Sequence, residues 1–160
     1  MQEKILELIE NNSRLTPEQI AVMLGIKEEE VCAEIKKMEE NQTIAGYMAI
    51  IDWEKTKKET VTALIEVKVT PQRGLGFDKI AERIYQYPEV KSVYLMSGGY
   101  DLCVIVEGKT MKDVALFVSQ RLALLDSVIS TATHFVLKKY KDHGIIFNGK
   151  SKDERAAIWL

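Results

Sequence analysis

Apolar residues recur every three to four places over the first fifty positions. From residue 60 they alternate with polar ones at every second place, and this change of period divides the chain. Ile5, Leu8 and Ile9 share one helical face and predict a helix over residues 2–12, ended by Asn11-Asn12-Ser13. Thr16-Pro17-Glu18-Gln19 reads as a helix start. A threonine hydroxyl can accept from a free first-turn N–H, proline suits the first helical position, and glutamine can reach back to close the box. Ile20, Ala21, Met23 and Leu24 supply the apolar side, and Gly25 stops the helix. A third helix is expected from Glu28 to Asn41, with Val31, Ile35 and Met38 on one face. Three short helices with a glycine-containing turn form a helix-turn-helix pattern. The run Ile44–Ile51 reads as a short hairpin or an extended wing.

Residues 52–59 are polar and lysine-rich and read as a linker. Beyond them Val61, Ala63, Ile65, Val67 and Val69 alternate with Thr62, Leu64, Glu66, Lys68 and Thr70, which predicts a strand. Pro71 to Gly76 is a loop, and Phe77, Ile80, Ala81 and Ile84 mark a helix ending before Pro88. Val90–Ser97 and Leu102–Glu107 are the strands of a hairpin. Met111, Val114, Ala115, Phe117, Val118, Leu122 and Leu125 mark one further helix, and Val128–Tyr140 a last long strand. The order β-α-β-β-α-β is that of a ferredoxin-like split βαβ unit. The fold class expected is therefore α+β: a winged helix-turn-helix over 1–51, a linker over 52–59, a ferredoxin-like domain over 60–141 and a polar tail over 142–160.

The hairpin turn carries the clearest candidate chemistry. Ser97-Gly98-Gly99-Tyr100-Asp101 combines two glycines, which tolerate φ > 0 and leave backbone N–H groups uncovered, with a carboxylate beside them. A small zwitterion needs both, N–H donors for its carboxylate and an acid for its ammonium. In such a site Gly98 and Gly99 offer donors or close approach, Asp101 pairs with the ammonium, and Tyr100 forms a wall. The competing reading is a plain type I′ hairpin whose Asp101 bonds local N–H groups. On the last strand Thr131 and Thr133 share a face from which they can reach a ligand held by a neighbouring subunit, although threonine in a strand commonly reflects β-propensity alone.

Composition narrows the remaining choices. A chain of 160 residues, 46% hydrophobic and 29% charged, is that of a globular protein of one domain or two small ones. No apolar run approaches the roughly 20 residues that span a bilayer. Cys32 and Cys103 lie far apart, and His134 and His143 stand without an acidic or cysteine cluster, so neither metal nor other cofactor is expected, nor a catalytic nucleophile. With no leader pattern at Met1-Gln2-Glu3-Lys4, the expected compartment is the cytoplasm. Net charge is −2 but unevenly placed: residues 1–50 hold five Lys/Arg against ten Asp/Glu, a net of −5, which leaves +3 for the remainder.

Three local patterns together carry a resemblance: Leu15-Thr16-Pro17-Glu18-Gln19-Ile20-Ala21 with Gly25-Ile26, then Ile44-Ala45-Gly46-Tyr47, then Ser97-Gly98-Gly99-Tyr100-Asp101-Leu102. In this order and spacing the chain resembles the Lrp/AsnC (feast/famine) transcription regulators from about Met1 to Tyr140. The resemblance implies homodimers built through the βαββαβ domains, further assembly to octamers, an amino-acid effector near the Gly-Gly-Tyr-Asp turn at a subunit interface, and double-stranded DNA bound by the third helix. Family members place Ser, Thr and Arg at the start and on the exposed face of that helix. This chain has Lys27-Glu28-Glu29-Glu30-Val31-Cys32-Ala33-Glu34-Ile35-Lys36-Lys37. Acids suit a helix N-terminus but oppose phosphate, although Glu28 can accept from a cytosine amino group. The DNA-binding residues expected are Arg14, Thr16, Lys27, Glu28, Lys36 and Lys37, with Lys55, Lys57 and Lys58 of the linker as further phosphate contacts. Two alternatives stay open: an enzyme similar to sirohaem decarboxylases, which share the two-domain arrangement, and a co-assembling regulator subunit with little DNA binding of its own.

Overall fold

Three helices form the amino-terminal unit: α1 (Gln2–Asn11), α2 (Pro17–Leu24) and α3 (Glu28–Glu40). The computed structural model describes residues 1–70 and 76–147. The apolar stripes predicted from the period converge on one interior of Ile5, Ile20, Ala21, Val31 and Met38, flanked by Leu8, Leu15, Ile26, Ile35 and Ile44. The start of α2 is a full capping box: the Thr16 hydroxyl accepts from the Gln19 N–H at 3.2 Å, and Gln19 Oε1 accepts from the Thr16 N–H at 3.0 Å. Gly25 ends the helix at φ +68°, a left-handed conformation that suits glycine. Ile44–Ile51 is not a hairpin; no strand forms there. Its entry is tied to α3 instead, by the Ile44 N–H to the Met38 carbonyl at 2.9 Å and by the Tyr47 hydroxyl donating to Glu39 Oε1 at 2.9 Å. With Gln42 in the left-handed region, φ 60°, the chain folds back along the helix it has just left.

The chain divides into two compact units between Ile50 and Ile51. The second opens with a 3₁₀ turn, Trp53–Lys55, inside the expected linker, and continues through β1 (Val61–Val69), α4 (Asp78–Tyr85), β2 (Val90–Leu95), β3 (Leu102–Gly108), α5 (Met111–Phe117) and β4 (Val128–Phe135). The sheet is antiparallel in the order β2-β3-β1-β4. This is the ferredoxin-like arrangement. Ala63, Ile65, Val67, Leu102, Val104 and Val106 point to one face and are buried beneath Ile80 and Ile84 of α4 and Val114, Phe117 and Leu122. Tyr87 and Phe117 meet edge to face with ring centres 5.4 Å apart. Each fully buried aliphatic side chain stabilises this packing by about 1.5–3 kcal/mol relative to exposure.

Three boundaries differ from expectation, each for a physical reason. The helix predicted from Met111 to Leu125 is α-helical only to Phe117, and Val118–Leu122 then forms a π turn closed by the Ala123 N–H to the Val118 carbonyl at 2.8 Å. The last strand ends at Phe135 rather than Tyr140: its ladder with β1 closes at the Ala63–Phe135 pair, and the final bond is Val136 N–H to the Thr62 carbonyl, beyond which β1 pairs with β3 alone. In the tail, Lys141–Asp142 (β5) and Ile145–Ile146 (β6) make a small hairpin through His143 and Gly144, both at positive φ. Residues 71–75, within the expected loop, and residues 148–160, Trp159 among them, lie outside the described residues.

Candidate functional site

At the end of the β2–β3 hairpin, Leu95 faces Leu102 and the Met96 N–H donates to the Asp101 carbonyl at 2.8 Å. Four residues, Ser97 to Tyr100, close the turn. A type I′ turn has two central residues, both at positive φ. Here only Gly98 is left of that requirement, at φ +143°, and Gly99 has no positive φ. The plain two-residue hairpin is therefore not formed. A Cβ at Gly98 or Gly99 would meet nothing within 4 Å, so the space above both peptides is open. Ser97, Gly98 and Gly99 are exposed, while Tyr100 and Asp101 are half-buried.

Asp101 has a structural task that its sequence neighbours do not announce. Its backbone N–H donates to the Val67 carbonyl at 3.1 Å, and its Oδ2 accepts from the Val69 N–H at 2.9 Å. Val69 lies where the β1–β4 register shifts, between Lys68 and Val69, so the carboxylate satisfies a donor beside a ladder irregularity. The turn is thereby fixed to the end of β1, and among the described residues Oδ1 accepts no hydrogen bond. The Tyr100 hydroxyl and the Cys103 thiol lie close enough to influence each other's titration. Desolvation, then the fields of Cys103 and Glu66, push the tyrosine up from its ordinary value. Burial likewise pushes the Cys103 thiol up, against a smaller lowering by the Tyr100 hydroxyl, so it remains protonated and is no nucleophile at neutral pH.

Thr131 and Thr133 are not brought to Tyr100 within one chain. They pair with Val67 and Ile65, which places them on the helix-covered side of the sheet, whereas Tyr100 meets Cys103 on the other side. Among the described residues of this unit, both α-helices pack on the first side and none on the second. Across it Tyr94 pairs with Cys103 and Cys103 with Glu66, Ile105 pairs with Leu64 and Leu64 with His134, and the His134 imidazole is 3.3 Å from the Glu66 carboxylate. Glu66 and Cys103 were not singled out from the sequence. The period-2 alternation placed Glu66 on the polar side of its strand, but only the register shows that it meets Cys103 beside the turn.

In the first unit Arg14, Thr16, Lys27 and Glu28 lie exposed at the starts of α2 and α3, with Lys36 and Lys37 exposed further along α3. Thr16 is engaged in its capping box. Lys27 caps α3 without a side-chain bond, and Glu28, Glu29 and Glu30 all face solvent beside the positive end of the helix dipole. Lys36 sits 3.9 Å from Glu40, both largely exposed, a pairing of little energetic weight. From Glu28 to Lys36 is about 12 Å along the axis. The exposed surface of α3 is thus acidic at its start, basic at Lys36 and Lys37, and acidic again at Glu39 and Glu40.

Among the described residues no group of three or more His, Cys, Asp and Glu side chains is placed to hold a metal ion, and no helix is long and apolar enough to cross a membrane.

Residues 62–146 match the model of the Lrp/AsnC ligand binding domain. YugG of Bacillus subtilis, an uncharacterized HTH-type transcriptional regulator, is 54% identical over 156 residues, covering 97% of this chain and 94% of its own. Among solved structures, Escherichia coli AsnC superposes with a TM-score of 0.65 at 18% identity, covering 86% of this chain and 91% of its own. The complex of the transcriptional regulator NMB0573 of Neisseria meningitidis with L-Met superposes with a TM-score of 0.70 at 23% identity, covering 88% and 90%. These relatives are transcriptional regulators and not enzymes, so the decarboxylase alternative has no support among them. The chain belongs to the Lrp/AsnC family of HTH-type transcriptional regulators.

Proposed function

We propose that this regulator binds specific DNA sequences through its amino-terminal unit and responds to an amino acid or related small metabolite at the Ser97–Asp101 turn. The observation that carries the effector reading is the turn itself. It has open space above two glycines, a left-handed Gly98, and a carboxylate held in place by Val69 with one oxygen still to offer. A free amino acid offers the complementary pair of charges. The Neisseria relative in complex with L-Met supports this class of ligand.

One chain supplies only half of such a site. The sheet face carrying Leu64, Ile105, Tyr94 and Cys103 lies opposite α4 and α5, with no helix of the unit's described residues packed on it, and a second copy laid against it is the natural cover. Thr131 and Thr133, on the helix-covered side of their own sheet, face away from that seam and take no part in this reading. Homodimers, and octamers built from them, then present several helix-turn-helix units at once. Arg14, Thr16, Lys27, Lys36 and Lys37 contact phosphate, and Glu28 reads a cytosine amino group. A regulator of this kind works in the cytoplasm. The effector acts by binding one assembly more tightly than another, since equal affinity for both shifts nothing.

The test is genomic fragment selection with the purified protein, with and without a pool of the twenty amino acids, alongside size-exclusion chromatography under the same conditions. Recovery of discrete fragments, and a change of assembly or fragment set with one amino acid, support the reading. A lone monomer with no fragment enrichment under any condition removes it. The glutamates at the start of α3 favour one second reading, a subunit that co-assembles with a DNA-binding relative. Pull-down of such a partner, together with no DNA retention by this chain alone, would select it.

A further inference from the structure

The charge on this chain runs against its proposed task. A DNA-binding unit gains affinity by neutralising phosphates and releasing their counterions. Residues 1–50 instead carry a net −5, with three exposed glutamates opening α3, and the remaining residues carry the positive excess.

That excess has a local focus. At the end of the sheet where the chain enters the second unit, Lys57, Lys58, Lys91 and Lys109 line one open cavity of about 450 Å³, against two acids, Glu59 and Glu107. Glu107 is engaged by Lys91 at 3.9 Å. Lys57, Lys58 and Lys109 form no ion pair among the described residues. This end is remote from the effector turn, since β3 runs from Leu102 at the turn to Gly108 here, about 20 Å of strand.

The backbone that carries the three lysines is also braced. Thr56 donates to the Trp53 carbonyl at 2.9 Å and accepts from the Lys58 N–H at 3.1 Å, which fixes the backbone around Lys57. The Lys58 ammonium rests 3.9 Å from the centre of the Trp53 ring. Lys109 sits between Gly108, where a Cβ would come within 3.0 Å of Val114, and Thr110, the cap of α5 through a reciprocal box with Asp113. Cations on a braced backbone lose less freedom on meeting a partner than cations on a free chain.

From this we infer that the linker end of the second unit is a DNA-contact surface, with Lys57, Lys58 and Lys109 on the phosphate backbone. The surface supplies attraction that the start of α3 withholds. The inference rests on the DNA-binding reading above; it joins the linker lysines expected to meet phosphate to Lys109, in a domain otherwise assigned to sensing.

The experiment compares the full chain with a Lys57→Ala/Lys58→Ala/Lys109→Ala variant and the matching triple Arg variant. The probe is a duplex recovered by genomic selection, and binding is measured as a function of salt. Each lost phosphate contact lowers the slope of log K against log salt by about 0.9, so the Ala variant is expected to lose up to about 2.7. The affinity advantage of the unaltered chain then shrinks about 40-fold from about 50 to about 200 mM salt. The Arg variant keeps the slope. An Ala variant that is folded by circular dichroism and keeps the full slope overturns the inference while leaving the DNA reading standing. Absence of binding by the unaltered chain at low salt removes the DNA reading, and this surface with it.

Discussion

Asp101 is asked to do two things, and two substitutions separate them. Its Oδ2 accepts the Val69 N–H at 2.9 Å in a half-buried setting, while Oδ1 is the proposed partner of an effector ammonium. Asp101→Ala removes the acceptor and strands the Val69 N–H beside the β1 irregularity. A hydrogen bond to a charged group contributes about 1.5–3 kcal/mol, so a loss of about 2 kcal/mol is expected. For a domain of about 100 residues that corresponds to a fall of roughly 8 °C or more in the melting temperature of the second unit. Asp101→Asn keeps a carbonyl oxygen of nearly the same shape facing Val69, and is expected to cost less than about 1 kcal/mol. It does remove the negative charge, so effector binding should be lost. Urea denaturation gives the two stabilities, and titration calorimetry with the amino acid found by selection gives the binding. The dual role is refuted if Asn destabilises as much as Ala, or if Asn binds effector as tightly as the unaltered chain.

Other expectations follow from the same geometry. Gly98→Ala forces a side chain into φ +143° and should destabilise by about 1–3 kcal/mol, whereas Gly99→Ala, with no positive φ and open space around it, should fall within about 0.5 kcal/mol by the same urea assay. Thr16→Ala breaks the capping box of α2 and should lower the stability of the first unit by about 1 kcal/mol, read by helical circular dichroism. In a thiol-reagent titration of the native protein at neutral pH, exposed Cys32 should react and buried Cys103 should not until the sheet unfolds. The raised Cys103 value has a definite sign. The folded state disfavours the thiolate, so its contribution to stability is complete below the ordinary value of 9.0 and is lost as pH rises through the higher folded one.

Much of the architecture was legible because it is written in local patterns. The switch from helical to alternating spacing at residue 60 separates the units, and Thr16 with Gln19 gave the start of α2 by its own chemistry. The glycines and Asp101 marked the turn, but not what Asp101 binds. Val69 lies 32 residues away, and no local rule links the two. The expected end of β4 was too late because β-propensity continues past Phe135 whereas the ladder with β1 does not. The π turn at Val118–Leu122 escaped for a different reason, since a widened turn keeps nearly the same apolar spacing as an α-helix. Thr131 and Thr133 were rightly placed on a shared face. Which side of the sheet that face occupies depends on the register with β1, which one sequence does not reveal.

Each half of the chain owns a separate packed interior, Ile5 through Met38 in one and the sheet with its helices in the other. A lesion confined to the first, such as a polar residue at Met38, therefore spares the surface through which copies are proposed to associate. Such a chain would still enter mixed assemblies and spoil the intact copies beside it, so its alleles should behave as dominant in a cell carrying both. Lesions at Ile65 or Val104 remove the chain from the pool altogether and should be recessive.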